Sequence, residues 1–74
     1  MNPHHDPLLG DVLNQAAREL PKEWQLVIEV ENGTTEVVLF RPSGIEEMLP
    51  GSEDTALSDR VRAAVEVAKG KAKL

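Results

Sequence analysis

Residue types able to do chemistry gather in four places. His4, His5 and Asp6 are metal-ligand types in a row, Glu46-Glu47 and Glu53-Asp54 are paired carboxylates, and Arg60, Arg62, Lys69, Lys71 and Lys73 collect the cations late in the chain. A structural metal site needs about four ligands in fixed geometry. Three adjacent residues do not supply that, so the histidines are read as solvent-exposed, Asp6 as a helix cap, and no metal is expected. Acid/base catalysis by a carboxylate pair requires a water-excluding pocket that drives the two pKa values apart. Both pairs flank turns, where solvated charge is the ordinary reading. No Ser and His arrangement suggests a nucleophile, no glycine-rich loop cradles phosphate, and cysteine is absent. The sequence therefore predicts no enzyme, no catalytic residue and no cofactor, and a pocket for a small-molecule substrate is hard to enclose in 74 residues.

The cations deserve a second reading because charge is unevenly spread. Residues 1–59 carry twelve acids against three bases, a net of −9, whereas residues 60–74 carry five bases against Glu66, a net of +4. Arg60, Arg62, Lys69, Lys71 and Lys73 are candidate contacts for phosphate or for an acidic partner. The competing explanation is a helix C-terminus enriched in lysine to suit its dipole. An acidic body repels a phosphate backbone, and with aromatics at 3%, Trp24 and Phe40 alone, base stacking has little to work with. No apolar run approaches the roughly 20 residues that span a bilayer, and the first residues lack a basic leader. A cytoplasmic protein with no membrane partner is expected, and the lack of cysteine fits a reducing compartment.

The elements that would position these groups follow from pattern. "DPLLGDVLNQAAREL" predicts a helix from about 7 to 20, with Asp6 as N-cap, Pro7 at the first helical position and Pro21 as the stop. Leu9, Val12, Leu13, Ala16, Ala17 and Leu20 form its apolar stripe, and Gly10 is expected to mark a close approach to the sheet. In "WQLVIEVENGTTEVVLFR", Asn32-Gly33 signals a two-residue hairpin turn. That fixes Glu31 opposite Thr34, Glu29 opposite Glu36, Val27 opposite Val38 and Gln25 opposite Phe40. One face then carries Trp24, Leu26, Ile28, Val30, Val37 and Leu39, the expected core face. Within "PSGIEEMLPGSEDT" the Ser43 and Glu46 spacing suggests a capping box and one helical turn. A last helix is capped by Asp54 or Thr55, carries Leu57, Val61, Ala64, Val65 and Ala68 inward, and stops at Gly70. The expected fold is a single α+β domain over 1–74, ordered helix, β-hairpin, helical turn, helix. Both helices lie on one face of a two-stranded antiparallel sheet, and residues 1–5 and 71–74 fray.

Such a domain leaves the other ribbon face uncovered. That face holds Val27, Val38 and Phe40 with Glu29, Glu31 and Glu36 around them, the predicted partner-binding residues; the alternative is cover from the 42–53 connection. Small cores without disulfides usually need a partner or a second copy, so a host protein or a homodimer is expected to cover it. The stretch "LPKEWQLVIEVENGTTEVVLFRPSG" with "ALSDRVRAAVEVA" resembles, in general style, the short accessory proteins of bacteriophages and prophages. That resemblance implies a non-enzymatic protein that binds and modulates a host factor. The alternatives are nucleic-acid association through the basic helix and acidic mimicry of DNA.

Overall fold

The computed structural model describes residues 8–49 and 55–73. Helix α1 (Leu9–Glu19) leads into strands β1 (Gln25–Glu31) and β2 (Thr34–Phe40), a short strand β3 (Glu46–Glu47) follows, and helix α2 (Leu57–Ala72) closes the chain. The three strands form one antiparallel sheet in the order β1-β2-β3, so the class is α+β. The hairpin register is the expected one throughout, from Gln25 opposite Phe40 to Glu31 opposite Thr34. Gly33 supplies the positive φ of the turn, at 86°.

The third strand corrects the expected helical turn and the expected two-stranded sheet. Arg41 N–H donates to the Ile45 carbonyl at 2.9 Å and Gly44 N–H to the Arg41 carbonyl at 2.8 Å, closing a three-residue loop over Pro42, Ser43 and Gly44. Gly44 sits at φ 91°, the left-handed geometry that ends such loops. The chain thereby turns back on β2, setting Glu46 beside Phe40 and Glu47 beside Leu39, and Ser43 caps nothing helical.

Helix α2 lies over β2. Its first turn reaches Thr35 through Arg60, and its last turn reaches Glu47 through Lys71 at 3.6 Å, so helix and strand run in the same sense. Val61, Ala64 and Ala68 are fully buried with Leu39, and Val65 nearly so, as the stripe requires. Helix α1 packs chiefly on α2, placing Val12 and Ala16 against Val61 and Val65, with Leu26, Ile28 and Val37 of the sheet against the same cluster. Because α1 leans on a helix and not flat on the sheet, its buried stripe is narrower than expected. Leu9 and Leu20 are half-buried while Leu13 and Ala17 are exposed.

Three glycine and cap expectations change. Nothing lies within 4 Å of where a Cβ at Gly10 would sit, so it marks no close approach. Gly70 does not stop α2, which continues to Ala72 through residues expected to fray. The α2 N-cap is Ala56, not Thr55, and makes no side-chain capping bond. Asp6, Pro7 and Asp54 lie outside the described residues. On the core face Trp24 is half-buried, but Val30 is 74% exposed because α2 lies over β2 and not over β1.

Candidate protein-binding face

Alternation along β1 and β2 sends odd residues of β1 and even residues of β2 to the side away from the helices. The register makes Val27 and Val38 a direct cross-strand pair, with Phe40 two positions along β2 and flanked by Gln25 and Glu46. Val27, Val38 and Phe40 are half-buried, forming a small apolar centre. Toward the turn stand Glu29, Glu31 and Glu36, and beside Phe40 stands Glu46, all exposed. Glu29 is directly opposite Glu36, a like-charge pairing that costs a sheet a few tenths of a kcal/mol, roughly 0.2–1. Among the strand positions on this face there is no lysine or arginine, so nothing there offsets the carboxylates. All six predicted partner-binding residues thus share one surface, and Glu46 joins them through the unforeseen β3.

The basic residues are dispersed. The Arg60 guanidinium donates to the Thr35 carbonyl at 2.9 Å and to the Thr35 hydroxyl, while its buried Nε finds no partner. Arg62 pairs with Asp59 one turn earlier at 3.1 Å. Lys69 bridges Glu19 of α1 at 3.0 Å and Glu66 at 3.3 Å. Lys71 faces Glu47, and Lys73 is the exposed C-cap residue of α2. Most of the cationic row therefore serves internal carboxylates or a carbonyl.

The carboxylate pair at Glu46 and Glu47 is split by the strand that holds it. Glu46 faces outward, whereas Glu47 faces the helices, is 9% exposed and accepts from Arg41 Nε. The Arg41 hydrogen bond, opposed by burial and helped by the Lys71 charge, holds the Glu47 carboxyl below the usual carboxylate range, and Glu47 in turn raises Arg41. Glu19 is likewise lowered, first by the Gln15 hydrogen bond and then by Lys69, whose own pKa rises. These groups stay ionised at neutral pH and serve as struts, with no proton to share. Sequence reasoning missed the Arg41, Glu47 and Lys71 cluster because its members meet only once the chain reverses. The available signal was Pro and Gly placed two apart in "RPSGI", a three-residue hairpin loop pattern.

A cleft of about 270 Å³ lies between the helices, edged by Gln15 and Glu19 of α1 and Arg62 and Glu66 of α2. It falls under the ~300–1,000 Å³ common for ligand pockets, and its charged groups are already engaged. Among the described residues no three His, Asp or Glu are placed to hold a metal ion, and no helix is long and apolar enough to cross a membrane. His4, His5, Glu53 and Asp54 lie outside the described residues. No family model, no curated protein and no solved structure matches this chain.

Proposed function

We propose that this chain is a non-enzymatic protein–protein interaction module that docks the outer face of its sheet onto a basic, apolar-centred surface of another protein. The observation that carries the reading is the apolar centre of Val27, Val38 and Phe40, on the side of the sheet away from α1 and α2, with Glu29, Glu31 and Glu36 at its turn end, Glu46 beside Phe40 and no lysine or arginine among the strand positions of that face. Apolar centre and polar rim are the anatomy of an interface. The four carboxylates of that face have no lysine or arginine beside them among its strand positions, so charge complementarity points to a partner bearing Arg or Lys. A modulator of a host factor, as in the phage and prophage proteins that the chain resembles, is the biological setting we propose.

The test is capture from bacterial lysate with wild type, Phe40→Glu and the double variant Glu29→Lys/Glu36→Lys, each checked for folding by circular dichroism. The captured protein is then titrated at increasing salt. Loss of at least ~30-fold in affinity for Phe40→Glu, the scale of a hot-spot residue, with salt-sensitive binding of wild type, supports the reading. Retained binding by Phe40→Glu together with loss in the double variant overturns an apolar-centred dock in favour of mimicry by charge alone. Phosphate contact through α2 is a weaker reading, since Arg60, Lys69 and Lys71 already have protein partners.

A further inference from the structure

Among the described residues β1 is open along its whole outer side. β2 is bordered by β1 and, over Leu39 and Phe40 alone, by β3, which leaves residues 34–38 a shorter open stretch where Arg60 holds the Thr35 carbonyl. An unpaired edge is a template for another strand, and proteins usually blunt one with charge (lysine above all), proline, a bulge or brevity. On β1 the charges are Glu29 and Glu31, both on the face away from the helices. Lysine, proline, a bulge and brevity are all missing from β1: it is seven residues, Gln25-Leu26-Val27-Ile28-Glu29-Val30-Glu31, continuous in register with β2.

Apolar side chains are exposed on β1 itself and on α1, the helix that joins the same cluster as Leu26 and Ile28. Val30 is 74% exposed. On α1, the 100° step per residue carries the surface from Gln15 and Glu19, which face α2 across the cleft, through Val12 and Ala16 to Leu9 and Leu20, and then to Leu13 and Ala17. Leu13 and Ala17 are exposed and lie on the flank turned away from α2. The core they fail to join is thin, with Leu39 and Val61 its largest fully buried side chains.

We propose that a second copy of this chain pairs with β1, antiparallel about a two-fold axis at Ile28. The two sheets become one of six strands, and the α1 flanks carrying Leu13 and Ala17 are brought side by side. The register is chosen by the sequence of the strand. Centred on Ile28, all seven residues pair, Leu26 covers the partner's Val30, Ile28 meets the partner's Ile28, and Val27 stands opposite Glu29. Centring on Glu29 sets that carboxylate against itself, a like-charge pair. Centring on Val27 leaves Val30 and Glu31 without opposite residues. Because both copies keep their helices on the same side, the acidic-rimmed faces stay open and lie together on the other. This interface is therefore independent of the docking face proposed above.

The absence of cysteine allows a direct test. Gln25 and Glu31 are exposed and stand opposite one another across the proposed axis, at the Cα spacing a disulfide accepts. Two Gln25 residues would be six positions apart, roughly 20 Å. Gln25→Cys and Glu31→Cys proteins are mixed, oxidised and separated on a gel, while light scattering reads the mass of wild type and Val30→Lys over a wide concentration range. The expected result is a wild-type dimer, a cross-link that forms only in the mixture, and a folded monomer for Val30→Lys. A wild type that stays monomeric at every concentration, cross-linking of either cysteine variant with itself, or a dimer that Val30→Lys leaves intact would each overturn the proposal.

Discussion

Arg60 is the residue on which the helix-to-hairpin joint turns. It forks onto the carbonyl and hydroxyl of a single residue, Thr35, near the start of β2, and so ties the first turn of α2 to the strand beneath it. A charged donor to a part-buried acceptor contributes about 1.5–3 kcal/mol, against a total of roughly 4–11 kcal/mol for a chain of this length. Arg60→Ala should therefore lower the urea midpoint visibly. Arg60→Lys should rescue little of it, because one ammonium cannot reproduce the fork. A midpoint for Arg60→Lys equal to wild type would show that charge alone holds the joint. Glu23 makes the opposite kind of prediction. It sits at φ 73° in the turn closed by Trp24 N–H donating to the Pro21 carbonyl at 3.1 Å, a left-handed conformation that costs a side-chain-bearing residue about 1–2 kcal/mol. Glu23→Gly removes that cost while adding freedom to the unfolded chain, so a net gain of up to about 1 kcal/mol is expected in thermal unfolding.

Among the elements, α2 carries a defect that can be repaired. Gly70 lies inside the helix with open space where a Cβ would go, and glycine costs a helix interior about 0.8–1 kcal/mol against alanine. Gly70→Ala should raise Tm by about 3–8 °C, using the usual scaling for small domains; an unchanged Tm would mean that this last turn is not formed in solution. The same position shows why the sequence misled there. Glycine signals a stop only when nothing beyond it holds the helix, and here Lys71, one residue on, reaches Glu47. The hairpin was legible because Asn32-Gly33 sets the turn and the alternation leaves one register, so the outer face of the sheet could be drawn residue by residue. The third strand was not, because two residues carry no alternation and Ser43 with Glu46 imitates a capping box. Alternation puts Val30 on the inward side, but its exposure depends on which strand α2 lies over, which no local pattern encodes.

Across the whole molecule, carboxylates on two elements are braced against cations elsewhere in the chain, Glu19 of α1 against Lys69 and Glu47 of β3 against Arg41 and Lys71. Both carboxyls are held below their ordinary range when folded, so the unfolded chain takes up protons first as pH falls. Their contribution is complete above the unfolded glutamate value of about 4.3 and is lost as pH drops from there through the lowered folded values. Denaturant midpoints should be flat from pH 7 to about 5 and fall below about 4. Glu19→Gln and Glu47→Gln should each reduce that acid slope, and a slope unchanged in both would show that these pairs do not link the elements. The brevity of β3 has a further consequence for assembly. β3 borders β2 only at Leu39 and Phe40, so among the described residues β1 is the full-length open edge and residues 34–38 a shorter one. A pair joined β1 to β1 would use up the full-length edge of both copies at once, so association through it would close at two copies and not grow into a filament.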